Sequence, residues 1–210
     1  MSLFCSWVIF TVFLFGNLFP CENLAAKQDD SEGIPVLAIG PSFLRPPVYR
    51  FLYGSKRTIL YPALLDKQGE LKPLDGKAFR QPEDWDRLIR DAQERASLQL
   101  VTLDPEMIRD AHGVIQMAVV TSKTPATASF ILSPEFLDHF SAIFGPEILI
   151  SLPTQNKICI FPRLANHLAE MSGAIRDEYL LSSIPASTEI FELSSKGIRA
   201  VGSIDPDDDN

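Results

Sequence analysis

The three histidines are the first side chains to consider, because imidazole is the commonest catalytic base and metal ligand in proteins. They are His112, His139 and His167. No two of them have the spacing of a metal site, and only Glu170, three residues after His167, offers a second ligand. A tetrahedral site needs four clustered ligands. The sequence therefore predicts no metal site.

Motifs for nucleophilic catalysis and for phosphate binding are absent. The sequence contains no G-x-S-x-G elbow, no glycine-rich loop and no Walker lysine, so we expect no cofactor. Paired carboxylates that could serve acid–base chemistry are Asp84/Asp86, Asp177/Glu178 and Glu189/Glu192. By pattern, the first two pairs lie on polar helix faces and the third in a terminal hairpin, where charges discourage aggregation. We interpret all three pairs as solvated surface charges.

One segment, residues 45–57 (RPPVYRFLYGSKR), combines positive charge with aromatic rings in an otherwise acidic chain. It could bind an anion, an acidic partner or lipid headgroups. The candidate side chains are Arg45, Arg50, Tyr53, Lys56 and Arg57. The segment also contains Pro-Pro-Val-Tyr, a pattern that WW-type domains bind in the polyproline II conformation. Two adjacent strands would give the same composition, and this alternative stays open.

Two further side chains stand within strand-like runs, and their expected surroundings differ. Cys159 lies in KICIF, where a buried and unreactive thiol is the expected state. Gln116 interrupts an apolar run, and a buried amide must be hydrogen-bonded, so it meets either a ligand or a side chain of another strand.

The N-terminal residues 1–26 are predicted to be a signal peptide or a membrane anchor. Residues 3–19 carry no charge, and their length lies between a signal-peptide core of about 7–15 residues and a spanning helix of about 20. Leu24-Ala25-Ala26 places a small residue at the cleavage position, which favours a cleaved signal and a secreted or periplasmic protein. The alternatives are a retained anchor, a lipid-modified Cys21, or no signal and a cytoplasmic chain.

Size and charge limit the remaining possibilities. The chain has 210 residues and a formal net charge of −8. Because phosphate backbones are bound through Lys and Arg, we expect no nucleic-acid partner. We predict a flexible tether at 27–33, a single domain over 34–204 and a disordered acidic tail at 205–210.

The spacing of apolar residues predicts the elements that must position the candidate side chains. Strands are predicted at residues 36–39, 47–53, 58–65, 98–103, 114–121 and 128–132. Helices are predicted at 82–97, from Asp104 to Gly113, from Ser133 to Gly145, and at 163–181. Two hairpins are expected, one from strands 148–152 and 157–161, the other from 188–193 and 198–202. Because strand pairs separate the helices, the pattern predicts an α+β fold, a mainly antiparallel sheet with three to four helices on one face.

Part of this order of elements resembles a known family. A short helix after Asp-Pro-Glu, the strand at 114–120, a Thr-Ala-Ser strand, the helix at 133–144 and the segment ILISLPTQN at 148–156 follow one another. Over residues 104–166 they are similar to the YtpQ-like bacterial family, a domain of unknown function. The resemblance implies an α+β fold in a bacterial protein and supplies no activity. The family has Pro-x-Arg-Asp after the strand, where Gln155 and Asn156 stand here.

The function expected from these observations is a non-catalytic module, exported or associated with the cell envelope, that binds a protein or a small ligand. The alternative is a hydrolase-like enzyme whose serine, histidine and acid meet only in the fold, since such triads are recognised by geometry. A third possibility is a component of a membrane assembly, held there by a retained leader. Outside this leader we expect no membrane contact.

Overall fold

Two antiparallel sheets and three α-helices make up the described part of the chain. The computed structural model describes residues 33–78, 82–164 and 167–204, which all belong to one compact unit within Glu32–Asn210. The predicted signal peptide or anchor, the acidic tail and all of the tether except Gly33 lie outside the described residues. The α+β fold class predicted from the sequence is confirmed.

The first sheet is formed by the N-terminal strands. Its strands are β1 (Ile34–Pro41), β2 (Arg50–Phe51), β3 (Thr58–Leu65) and β4 (Leu71–Pro73). The order is β1-β3-β2, and β4 also pairs with β3. Short 3₁₀ turns at Ser42–Leu44 and Gly76–Ala78 follow β1 and β4. The basic segment thus contains β2 and the turn that leads into β3.

The second sheet has six strands in the order β10-β9-β7-β8-β6-β5. They are β5 (Glu106–Arg109), β6 (Ile115–Thr121), β7 (Ile148–Ser151), β8 (Lys157–Pro162), β9 (Glu189–Ser194) and β10 (Gly197–Ser203). The helices are α1 (Pro82–Leu100), α2 (Glu135–Phe144) and α3 (His167–Leu181). No helix in the described ranges is long and apolar enough to cross a membrane. Both predicted hairpins, β7–β8 and β9–β10, are present.

Helices cover both faces of the second sheet rather than the predicted single face. Side chains alternate along each strand, so Ile158 and Ile160 of β8 join the large core beneath α1 and α2. Cys159 and Phe161 point the other way and pack against α3 through Ile175. The near-continuous apolar sequence of β8 follows from this burial on both faces.

Two of the predicted strands are helical in the structure. Residues 98–103 are not a strand: α1 continues to Leu100, because Ala92, Ala96 and Leu100 keep one buried stripe at helical spacing. Residues 128–132 belong to a 3₁₀ helix, Thr127–Leu132, whose residues up to Ile131 are buried. A short apolar run does not distinguish a buried strand from a buried helix.

The predicted helix from Asp104 to Gly113 is a strand and a hairpin turn. Glu106 opens β5, which pairs with β6. The Asp110 carboxylate accepts hydrogen bonds from the backbone N–H groups of His112 and Val114, and Gly113 adopts a φ of 82° in the turn. An aspartate that accepts from the backbone two residues later is as typical of turns as of helix starts.

Candidate functional site

The structure separates the five predicted binding residues. Arg50 and Tyr53 line a groove of about 610 Å³. Lys56 and Arg57 line a second cleft of about 310 Å³ beside β10. Arg45 is exposed on the turn after β1 with a φ of 45° and lines neither cavity.

The groove has a mainly apolar lining from five parts of the chain. The α1 helix supplies Trp85, Ile89 and Gln93, β3 supplies Leu60, and the β9–β10 hairpin supplies Leu193, Ser194, Ser195, Gly197 and Ile198. The 3₁₀–α2 corner and β2 complete the walls, with Ile131, Leu137, Asp138, Arg50 and Phe51. Such a volume, with an apolar lining and few polar groups, is typical of ligand sites.

Arg50 is the positive charge of the groove. Its guanidinium lies over the Trp85 ring, 4.7 Å from the ring centroid, in a cation–π contact. Trp85 is buried at 5% exposure and so forms a fixed platform. In the described part of the chain, no carboxylate forms an ion pair with Arg50. The contact holds the guanidinium at the groove, where this exposed side chain can reach a ligand.

Exposed aromatic rings extend the groove at the β2 side. Phe51 and Tyr53 are 51% and 70% exposed, and Tyr49 meets Phe51 edge-to-face with ring centroids 5.8 Å apart. Large exposed rings next to a groove are typical of binding surfaces. They add apolar contact area around Arg50.

Most other polar groups of the groove are already hydrogen-bonded. The Gln93 side chain donates to the Leu132 carbonyl at 2.9 Å. The Ser133 hydroxyl donates to Glu135, and this bond, followed by one from Ser97, lowers the pKa of the Glu135 carboxyl. Asp138 is exposed, and none of the described cations pairs with it. Arg50 and Asp138 are therefore two charges that the fold leaves available.

A buried carboxylate holds the turn that carries Lys56 and Arg57. Glu189, at the start of β9, is 7% exposed. Its oxygens accept hydrogen bonds from the hydroxyls of Ser55 and Thr58, the latter at 2.6 Å, and from the Lys56 backbone N–H at 2.9 Å. Thr58 also shares a hydrogen bond with Ser187. This set, Ser55, Thr58, Ser187 and Glu189, is called the Glu189 cluster below.

The Glu189 cluster stabilises the ionised carboxylate. Burial raises the pKa of Glu189, but the hydrogen bonds from Ser55, Thr58 and the backbone of Lys56 and Arg57 together outweigh it and lower the pKa. The cluster ties the first sheet to the second, and a backbone hydrogen bond from Ala200 to the Tyr53 carbonyl adds to this link. The Glu189 cluster therefore has a structural role: it joins the two sheets beside the groove.

The prediction that Glu189 and Glu192 are solvated charges of an edge hairpin is wrong. Their strand, β9, lies between β7 and β10, so it is not an edge. Glu192 is 6% exposed and pairs with Arg199 at 2.8 Å and Arg163 at 3.2 Å. Of the helical carboxylates, Asp84 pairs with Arg87 and Glu178 with Lys157 at the protein surface.

The histidines do not assemble a site within the described residues. His112 lies in the β5–β6 turn, not at a helix end, and His139 packs its ring edge-to-face on Phe140. His167 contacts Glu170 at 2.9 Å, and no third metal-ligating side chain joins any such pair in the described ranges. No histidine ring described here hydrogen-bonds to a serine hydroxyl.

Cys159 and Gln116 have structural surroundings. Cys159 is 2% exposed, which confirms the expected burial, and burial raises its pKa to about 12, as suits an unreactive thiol. Gln116 donates at 3.0 Å to the carboxylate of Asp110 in the β5–β6 turn, in an exposed hydrogen bond, so its amide is not the buried one that the sequence predicted.

The corner after β7 is a structural anchor in this chain. Gln155 is buried and donates from its side chain to the Tyr61 hydroxyl at 2.9 Å, joining the two sheets. Asn156 donates to the Ser122 carbonyl. The side chains of Gln155 and Asn156 are thus used for internal hydrogen bonds.

Comparison with known proteins supplies no relative. No family model matches the chain, and neither a curated protein nor a solved structure matches it. The resemblance of residues 104–166 to the YtpQ-like family therefore stays a prediction.

Proposed function

We propose that this chain is an exported or envelope-associated binding module whose groove binds a ligand with an apolar body and an anionic group. The anionic group pairs with Arg50, and the apolar body lies against Trp85, Ile89 and Leu137. The observation that carries the proposal is the guanidinium of Arg50, stacked on Trp85 at the groove with no carboxylate partner among the described residues.

Charge and shape both support this ligand class. The buried carboxylate of Glu192 pairs with Arg163 and Arg199, whereas the exposed Arg50 has no such partner among the described residues. An arginine that lacks an ion-pair partner beside an apolar groove can form charge-assisted hydrogen bonds with a carboxylate. The hydrolase alternative requires a histidine beside a serine and an acid, and no observation on the described residues favours it. The partner is a small ligand or a protein segment, not a nucleic acid, given the net charge of −8.

The test uses two probes that differ only in charge: phenylbutyrate and its neutral alcohol, phenylbutanol. Binding is followed by the fluorescence of Trp85 in a Trp7→Phe background, which leaves one tryptophan of the two in the chain. We expect phenylbutyrate to bind with a Kd below about 10 mM and at least about fivefold more tightly than phenylbutanol.

Two variants test whether Arg50 is the charge that the ligand contacts. Arg50→Gln should raise the Kd for phenylbutyrate at least about fivefold and leave that for phenylbutanol within about twofold. Lys56→Ala is the matched control, since it removes a cation of the same segment that lines the second cleft instead. Equal effects of the two variants, or no saturable binding of phenylbutyrate, would overturn the proposal.

A further inference from the structure

The groove also has an available negative charge, and its position bears on the ligand. Asp138 lies on α2 and lines the groove, and its carboxylate has no cation partner in the described residues. A carboxylate in the first turn of a helix complements the helix dipole, which explains why an acid stands at this position. It does not explain why Asp138 lines the groove. The groove therefore has both a cation and an anion on its walls.

The two charges do not neutralise each other. Arg50 and Asp138 form no ion pair together, although both line the same groove. A ligand that satisfies both carries an anion and a cation, as a peptide with free termini does. An extended peptide advances about 3.3–3.6 Å per residue, so the termini of a tripeptide lie about 7–10 Å apart.

Resting on the proposed function, we propose that the ligand of the groove is a short apolar peptide with free termini. Its terminal carboxylate pairs with Arg50, and its terminal ammonium pairs with Asp138. Its apolar side chains lie on Trp85, Ile89 and Leu137, which line the same groove. A groove of about 610 Å³ accommodates two to four residues, about the size of other small-ligand sites.

The rest of the lining agrees with a peptide ligand. The hydroxyl-bearing turn Ser194–Ser195 and the exposed ring of Tyr53 border the groove. Hydroxyls can donate to and accept from peptide groups, and aromatic rings pack on apolar side chains at little entropic cost. A fatty acid would use Arg50 and the apolar lining but would leave Asp138 without a partner.

The experiment is a titration of the full-length Trp7→Phe chain with the tripeptide Leu-Phe-Leu in four forms: free, N-acetylated, C-amidated and blocked at both ends. We expect N-acetylation to weaken binding at least about fivefold in the unsubstituted protein. In Asp138→Asn the same acetylation should change the Kd by less than about twofold, because the carboxylate that recognises the ammonium is gone. Asp86→Asn, an exposed acid of α1 outside the groove lining, should behave like the unsubstituted protein.

The peptide forms separate this inference from the proposed function. If amidation weakens binding in an Arg50-dependent way but acetylation costs no more in the unsubstituted protein than in Asp138→Asn, the peptide inference is wrong and the proposed function stands. If phenylbutyrate binds at least tenfold more tightly than every peptide form, the ligand is a simple organic acid and the peptide inference is again wrong. If neither terminal group affects binding, both are wrong.

Discussion

Replacing Glu189 tests whether the Glu189 cluster holds the two sheets together. Four donors reach its carboxylate: the hydroxyls of Ser55 and Thr58 and the backbone N–H groups of Lys56 and Arg57. Glu189→Gln keeps the shape and removes the charge. The amide oxygen can still accept from the backbone, while the hydroxyls must reverse and accept from the new NH₂ group.

The expected loss of stability follows from the number of hydrogen bonds that the Glu189 carboxylate accepts. A hydrogen bond to a charged group contributes about 1.5–3 kcal/mol and a neutral one about 1 kcal/mol. Four bonds that each lose about 0.5 kcal/mol give a decrease of about 2 kcal/mol in the free energy of unfolding for Glu189→Gln. Glu189→Ala leaves these donors without an acceptor and should cost about 4 kcal/mol, since Thr58 and Ser187 are buried.

The assay is urea unfolding followed by far-UV circular dichroism, with Glu94→Gln as the control on the exposed face of α1. The control should stay within about 0.5 kcal/mol of the unsubstituted protein. The reasoning would be refuted by a Glu189→Gln variant that is as stable as the control.

The pH dependence gives a second readout for the same residue. The pKa of Glu189 is lower in the folded than in the unfolded chain, where it is near 4.5. Its contribution to stability is therefore complete above that value and is lost as the pH falls through the folded pKa. Below about pH 4.5 the stability of Glu189→Gln should fall less steeply than that of the unsubstituted protein.

Three further outcomes are expected. In a variant with Cys5 and Cys21 replaced by serine, the Cys159 thiol should not react with a thiol reagent until the protein is unfolded, because it is buried with a pKa of about 12; absorbance of the released thiolate measures this. Phe140→Ala should lower the free energy of unfolding by about 3–5 kcal/mol, since Phe140 is fully buried beside Phe136; a loss below about 1 kcal/mol would contradict its place in the core. Intact mass of the native protein should match cleavage after Ala26, in the soluble exported fraction, whereas an uncleaved or lipid-bearing mass in the membrane fraction would indicate an anchored protein.

Local sequence signals predicted the elements whose partners are close along the chain. Strand β3 begins and ends where predicted, since turn residues flank an apolar run, and both hairpins are paired as expected. The prediction of a helix after Asp104 was wrong, because an acid followed by proline also suits a turn before a strand. This segment forms a strand because it pairs with β6, and that pairing is visible only in the structure.

The sequence pointed to some of the residues that line the candidate groove. The unusual composition of residues 45–57 pointed to Arg50 and Tyr53, which line the groove, but it did not separate them from Arg45, Lys56 and Arg57. The sequence placed Trp85 only within the apolar pattern of the helix predicted at 82–97, because a ring that contacts Arg50 and a core residue occupy the same helix positions. Glu189 and Ser55 are 134 residues apart, and no local pattern connects them.

The most direct test of the central claim is to locate the bound ligand by nitrogen–proton correlation spectra of the full-length chain, titrated with phenylbutyrate. We expect the Arg50 Nε–H and Trp85 Nε1–H signals to shift together and to saturate with the same Kd, which Arg50→Gln raises for the Trp85 signal. If both signals stay unchanged while those of the second cleft, around Lys56 and Gly202, shift and saturate, the ligand binds elsewhere. The assignment of the groove would then be contradicted.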